Sequence, residues 1–234
     1  MNRKPLLFEL SGLWYAYAGG GQHALALEHL ELHEGECVAF TGGNGSGKTT
    51  LLKLLNYLLP SQDDRRHCGG SLLFRGEPYS RHKARGYSIY MLQQPYMLPG
   101  TVAQNVAVGT GSLFRHNPIL KKKIEEALCY VGLADKAERL ARALSGGEAQ
   151  RLALARVIAA NRNVLLLDEP TASVDRVSAE RIEEILRTLK GRTTILFSTH
   201  SHRFAERLAD RIIELSNGTL MSDRRNSSAH ERTS

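Results

Sequence analysis

The chain has 234 residues, 42% of them hydrophobic, and a formal net charge of +7. That is enough apolar material for a packed core, which excludes wholesale disorder, and the length fits one large domain or two small ones. No apolar run approaches the roughly 20 residues that cross a bilayer, residues 1–10 are too short an apolar stretch for a signal peptide, and Cys37, Cys68 and Cys129 lie too far apart for a zinc or redox motif.

The basic balance admits nucleic acid, an anionic membrane surface or a nucleotide as partner, and alone it selects none of them. Residues 6–17 and 24–32 partly alternate apolar and polar side chains, compatible with antiparallel strands. Residues 36–41 read as a short buried strand. A glycine-rich turn follows, then an apolar, helix-compatible run over 48–59. Strand, glycine loop and helix open an α/β nucleotide fold. Residues 61–70 are polar and glycine-ended, so a loop is expected, with Arg65, Arg66, His67 and Cys68 lengthening it. Strands are expected at 71–74 and 87–92.

Two prolines and a glycine break the pattern over 95–100, and Thr101 with Gln104 fits a capping box. Residues 118–131 form an amphipathic helix. Leu120, Ile124, Ala127, Leu128 and Val131 share one face, and Lys121, Lys122, Lys123, Glu125 and Glu126 the other. Further helices are expected at 146–160, 178–190 and 202–209. Strands are expected at 164–167, wholly apolar as in the middle of a parallel sheet, and at 193–198. Residues 212–215 and 219–221 suit a hairpin around Asn217-Gly218. The expected layout is one domain over 1–222, an α/β core of 1–94 and 161–222 interrupted by a helical subdomain at 95–160. A flexible polar tail is expected over 223–234.

Gly42-Gly43-Asn44-Gly45-Ser46-Gly47-Lys48-Thr49 fits G-x-x-x-x-G-K-[ST]. Glycines let the backbone curl until its N–H groups face phosphate oxygens. Lys48 brings positive charge to the β and γ phosphates, and Thr49 offers a hydroxyl to Mg²⁺. The helix that starts here adds the positive end of its dipole. The strand 164–167 ends in Asp168, followed by Glu169. An acid at such a strand end holds Mg²⁺ in phosphate-loop enzymes, and a second carboxylate beside it can act on the attacking water. The competing role is a helix cap or surface acid. Ser145-Gly146-Gly147-Glu148 precedes a helix, and on the residues alone a capped turn explains it better than an anion site does.

Together these motifs resemble the ABC ATPase family over nearly the whole chain. The resemblance implies an α/β phosphate-loop core with a mixed sheet, an antiparallel β subdomain and a helical insert. Residues 42–49 look like the Walker A loop, and 164–169 like the Walker B strand with its catalytic glutamate. Residues 144–148 look like the signature sequence, with Glu148 where glutamine is commoner. Gly43 stands where proline is frequent. Gln93 matches the Q-loop glutamine, with Gln94 as the competing neighbour, and residues 172–175 resemble the D-loop, ending in Asp175. His200 matches the switch histidine. Tyr17, or else Tyr15, sits where an aromatic stacks on adenine. His23, His29, His33, His67 and His82 have no such context and are expected on the surface.

The resemblance further implies ATP and Mg²⁺ as cofactors and a head-to-tail homodimer around two ATP. Lys48, Thr49, Asp168 and Gln93 would handle phosphates and metal, with Asn44, Gly45, Ser46 and Gly47 lining the loop and Thr50 at the α-phosphate. Ser145 and Gly147 would reach the γ-phosphate from the second copy, assisted by the signature helix dipole, with Gly146, Glu148 and Asp175 also among the nucleotide-binding residues. Glu169 would act on water, and His200 would hold it in line. A separate transmembrane permease is implied, with a solute-binding protein as a further partner. Tyr96, Met97 and Leu98 belong either to its docking groove or to the insert's own core. The protein is then expected on the cytoplasmic face of the cell membrane, moving a small solute. Short importer ATPases for anions and metal oxyanions look similar, while residues 98–102 also resemble exporters. The alternatives are a soluble ABC ATPase acting on nucleic acid or ribosomes, which scattered basic charge disfavours, and a phosphate-loop kinase, which has no use for a signature sequence.

Overall fold

The computed structural model describes residues 4–19, 21–60, 67–111 and 117–226. They form two compact units. The first takes in the described residues up to Tyr90, then Asn163–Asp168, then those from Lys190 onward; the second takes in Met91–Arg162 and Glu169–Leu189.

The first unit carries a four-stranded antiparallel sheet and most of a six-stranded one. Strands β1 (Leu6–Tyr15), β2 (Leu25–His33), β4 (Cys68–Phe74) and β5 (Glu77–Pro78) lie in the order β2-β1-β4-β5. The six-stranded sheet has the order β10-β9-β3-β8-β7-β6. It is built from β3 (Cys37–Thr41), β6 (Ser88–Met91), β7 (Val164–Leu167), β8 (Thr194–Ser198), β9 (Arg211–Ser216) and β10 (Thr219–Arg225). Strands β3, β7 and β8 are buried along their whole length, and the pairs β3/β8, β3/β9 and β7/β8 are parallel. Continuous apolar runs in the sequence become central parallel strands because both faces are covered.

Helix α1 (Lys48–Leu55) buries Leu51, Leu52, Leu54 and Leu55 in one core cluster with Val38 and Phe40 of β3 and Leu10, Leu30 and Phe74 of the antiparallel sheet. Fully burying each such side chain contributes about 1.5–3 kcal/mol. The helix is shorter than the run over 48–59 suggested. Asn56 caps it, and Tyr57 takes φ 57° while its ring packs edge-on against Tyr79. A left-handed residue ends a helix whatever the apolar spacing beyond it.

Three other boundaries differ from expectation. Strand β4 begins at Cys68, inside the expected loop, with Gly69 opposite Trp14. A Cβ on Gly69 would lie 2.5 Å from the Trp14 indole nitrogen, so glycine is there for packing. Helix α2 (Arg81–Tyr87) was not foreseen. Only Ala84 is buried in it, so it leaves no apolar period to read, and Ser80 caps it by accepting from the Lys83 N–H. Strand β10 runs to Arg225, past the expected start of the tail at 223. Arg211 grips Asp223 through its Nε at 2.7 Å, and the Asn226 amide donates to the carbonyls of Glu206 and Ala209. Polar residues are held here by charge and hydrogen bonds. Nor are all five histidines surface residues: His33 and His67 are half-buried.

The second unit is helical: α3 (Val102–Gly109), α4 (Pro118–Val131), α5 (Gly146–Ala159) and α6 (Arg176–Leu189), with α3, α4 and α5 in mutual contact and α6 against α4 and α5. Helix α6 lies in this unit, whereas the expected insert stopped at residue 160. Thr101 and Gln104 form a reciprocal capping box on α3. Asn117 caps α4 ahead of Pro118, and Gly132, at φ 68°, closes it. Leu120, Ala127, Leu128 and Val131 are buried as the amphipathic pattern requires, and Ile124 is half-buried.

Between Ser11 and Trp14 the β1/β4 register shifts, with Gly12 at φ 57° and Gly70 at φ 88°. A Cβ on Gly70 would sit 2.2 Å from the Gly12 carbonyl oxygen, which belongs to backbone and cannot step aside. Gly70→Ala is expected to cost about 1–3 kcal/mol in urea unfolding. Gly86→Ala, in α2 with open space around it, should be neutral or stabilising by up to about 1 kcal/mol.

Candidate functional site

In the first unit the glycine loop leaves β3 and enters α1. Gly42, Gly45 and Gly47 take φ of 134°, 75° and 101°. A Cβ on Gly42 would lie 2.1 Å from the Leu215 carbonyl oxygen, and one on Gly47 would lie 2.8 Å from that of Ala24. These two positions exclude any other residue on both conformation and space. The buried Lys48 ammonium donates to the carbonyls of Gly42 (2.8 Å) and Gly43 (2.9 Å) and to Ser46 Oγ (3.3 Å). The loop therefore holds its own cation in place at the mouth of a helix N-terminus. An anion arriving there meets positive charge and the positive end of the helix dipole.

Asp168, 2% exposed at the end of β7, is the centre of a hydroxyl cluster. Its Oδ1 accepts from Thr49 Oγ1 (2.9 Å) and Ser198 Oγ (2.6 Å), and its Oδ2 accepts from the Tyr90 hydroxyl (2.7 Å). The sequence pointed to Asp168 and Thr49. It did not single out Ser198 or Tyr90, which are strand residues of β8 and β6 with no motif to mark them. Burial, with the Asp168 carboxylate beside it, pushes the Tyr90 phenol far above its ordinary value, so it remains a donor. One carboxylate and one adjoining hydroxyl, both hard oxygen donors, fit an ion of the Mg²⁺ type whose other ligands are phosphate oxygens and water. Among the described residues no group of three or more His, Cys, Asp or Glu side chains could hold a metal by itself.

Tyr15 is fully buried in the core and meets Tyr17 edge-on, with ring centroids 5.0 Å apart. That removes Tyr15 as a stacking surface. Tyr17 is 42% exposed, and its hydroxyl pairs with Thr50 Oγ1 at 3.2 Å. His200 is exposed directly after the buried Thr199 at the end of β8.

The second unit holds the other expected residues. Gln93 and Gln94 are both exposed just past β6. Ser145 caps α5: its Oγ accepts from the Glu148 N–H, and Glu148 Oε2 accepts from the Ser145 N–H at 2.8 Å. Lys136 donates to the other Glu148 oxygen. Ser145 and Gly146 are exposed, while Gly147 is buried. A Cβ on Gly147 would strike Ser178 Oγ at 2.1 Å, so this position must be glycine for α5 to approach α6. Asp175 caps α6, accepting from the Ser178 N–H (2.9 Å) and hydroxyl (2.8 Å). These bonds hold its carboxyl below the ordinary value. Glu169 is buried with φ 48°, and Ser173 has φ 59°. Left-handed backbone at a non-glycine residue costs about 1–2 kcal/mol and collects at functional sites.

Residues 27–172 match the family model described as ABC transporter. The thiamine import ATP-binding protein ThiQ of Chelativorans sp. (strain BNC1) is 35% identical over 217 residues, 92% of this chain and 85% of that protein. An ABC transporter ATP-binding protein of Methanosarcina mazei is 29% identical over 236 residues, and the chain spans 41% of its length. Among solved structures, cbiO1 from Clostridium perfringens, part of the ABC transporter complex cbiONQ, superposes with a TM-score of 0.82 at 26% identity, covering 98% of this chain and 92% of that one. The ATP-binding cassette MJ0796, a dimer in a post-hydrolysis state bound to ADP and Pi, gives a TM-score of 0.81 at 26% identity, covering 94% and 98%.

Tyr90→Phe deletes a hydrogen bond to a buried carboxylate without altering ring packing. It is expected to lower unfolding free energy by about 1.5–3 kcal/mol. Urea titration at neutral pH measures it, and a loss below about 0.5 kcal/mol would show the Tyr90–Asp168 bond to be energetically idle.

Proposed function

Since the chain belongs to the ABC transporter ATP-binding family and is an ATP-hydrolysing ABC ATPase, we propose that it is the motor subunit of a transporter whose membrane-crossing part is another chain. The observation that carries this reading is the glycine loop with Lys48 drawn onto it, beside the bond between Thr49 and Asp168. Among the described residues no helix is long and apolar enough to cross a membrane, which is consistent with a separate permease.

In this reading Lys48 exchanges its loop carbonyls for the β and γ phosphate oxygens of ATP, and Asn44, Gly45, Ser46 and Gly47 present backbone around them. Thr50 serves the α-phosphate, and Tyr17 leaves Thr50 to stack on adenine. Thr49, Asp168 and Gln93 would hold Mg²⁺, which would supply neutralising charge to the phosphate oxygens. Tyr90 and Ser198 fix the Asp168 carboxylate. Glu169 accepts the proton of the attacking water, and His200 holds that water and the γ-phosphate in line. Ser145, Gly146 and Gly147 of a second copy close the site from the other side, with Asp175 setting the α6 end against which α5 rests. ATP bound from both sides holds the dimer together, and its hydrolysis releases it. The dimeric state of MJ0796 supports this arrangement.

The membrane partner would dock on the second unit. A groove of about 570 Å³ there is lined by Leu98, Thr101, Ala107, Leu120, Ile124 and Leu128. Tyr96, at 65% exposure, stands in the loop that carries Leu98, while Met97 and Leu98 are half-buried. Asn105 ties that loop down, accepting from the Leu98 N–H and donating to its carbonyl. An apolar groove of this size suits a short helix from a permease. The import role named for ThiQ favours import over export, with a small solute delivered by a binding protein as cargo.

Glu169→Gln should bind ATP, lose turnover by at least about a hundredfold and accumulate as a dimer, read by phosphate release and light scattering. Tagged Glu169→Gln protein taken with ATP from solubilised membranes should retain a multi-span membrane chain in stoichiometric amount. Ribosomes or nucleic acid in its place would mean the soluble alternative. Ile124→Glu should abolish retention of the membrane chain and leave the ATPase of the isolated subunit within about twofold.

A further inference from the structure

We propose that Lys136 is a positioning residue that cancels the charge of Glu148, so that the N-terminus of α5 can receive a nucleotide phosphate presented by a second copy of this chain. The proposal rests on the dimer reading above and deepens it.

The first turn of α5 carries two opposed demands. Glu148 completes the capping box by accepting from the Ser145 N–H, which stabilises the helix and consumes one open donor. That same carboxylate belongs to the first turn of α5, where the N–H groups of Gly146 and Gly147 have no partner within the helix by geometry alone. A glutamine there would cap equally and carry no charge. A glutamate places a negative charge where a phosphate is to arrive, and like charges at such range repel.

Protonation does not relieve the conflict. The Lys136 ammonium, together with the Ser145 N–H, holds the Glu148 carboxyl down at about 2, so it is ionised at any working pH. A cation must do it instead, and one is built in. The short 3-10 turn Ala134–Lys136 brings Lys136 onto the Glu148 oxygen not used for capping. The pair is partly shielded, with Glu148 14% and Lys136 29% exposed at the side chain. Capping belongs to one oxygen and neutralisation to the other, so removing Lys136 leaves the helix start intact and changes only the charge it presents.

The test uses full-length protein in the Glu169→Gln background and reads ATP-driven dimerisation by light scattering, with binding of a fluorescent ATP analogue to the monomer as a second readout. Lys136→Met is expected to leave analogue binding unchanged and to weaken the dimer about tenfold, equivalent to about 1.4 kcal/mol. The deficit should shrink as salt rises, because the screening length falls from about 10 Å at 0.1 M to about 3 Å at 1 M. Lys136→Arg should behave as the parent. The decisive comparison is Lys136→Met with Glu148→Gln against Glu148→Gln alone: once the carboxylate is gone the lysine should no longer matter, and the two should dimerise alike. A Lys136→Met protein that dimerises like the parent, or a double variant that stays weaker than Glu148→Gln, overturns the proposal and leaves the dimer reading standing. No ATP-driven dimer in the parent itself would overturn both.

Discussion

A single buried carboxylate organises the functional edge of the first unit. Asp168 takes hydrogen bonds from hydroxyls on α1, β6 and β8 while sitting at the end of β7. A buried carboxylate without hydrogen-bond partners is too costly to keep, so those three donors are a condition for placing Asp168 there. They also fix the mouth of the glycine loop, since Thr49 is the second residue of α1 and directly follows Lys48. The same carboxylate thus ties the ends of three strands to the start of a helix.

The glycine loop obeys a constraint of a different kind. Its conformation is imposed from outside, by the Leu215 carbonyl pressing on Gly42 and the Ala24 carbonyl on Gly47. At both positions the neighbouring backbone leaves no room for a side chain. Lys48 then satisfies the loop carbonyls that would otherwise be left with few partners. Glycine takes the left-handed backbone that other residues resist, and the cation is held by the loop itself.

In the second unit, local capping sets the functional residues. Ser145 and Asp175 each start a helix, and Gly147 lets those helices approach. A capped turn and an anion site compete as explanations of residues 145–148 in the sequence. In the structure the cap uses the Glu148 and Ser145 N–H groups. Glu169 carries the cost openly, with a left-handed backbone at a buried acid immediately after the sheet.

The sequence by itself determined the residues whose role is set by nearest neighbours along the chain. The glycine loop with Lys48 and Thr49, the acid closing an apolar strand, the caps at Thr101 and Ser145, and the amphipathic helix over 118–131 were all legible, because hydrophobic period, cap chemistry and glycine spacing are local properties. Tertiary structure alone decided the rest. Tyr90 and Ser198 reach Asp168 only once β6, β7 and β8 lie side by side. Gly69 and Gly70 read as loop until β1 packs on them. Asp223 reads as tail until Arg211 grips it, and α2 has too little apolar surface to announce itself. Each depends on a partner far away in the chain, and a single sequence records which residues are able to pair but not which of them meet.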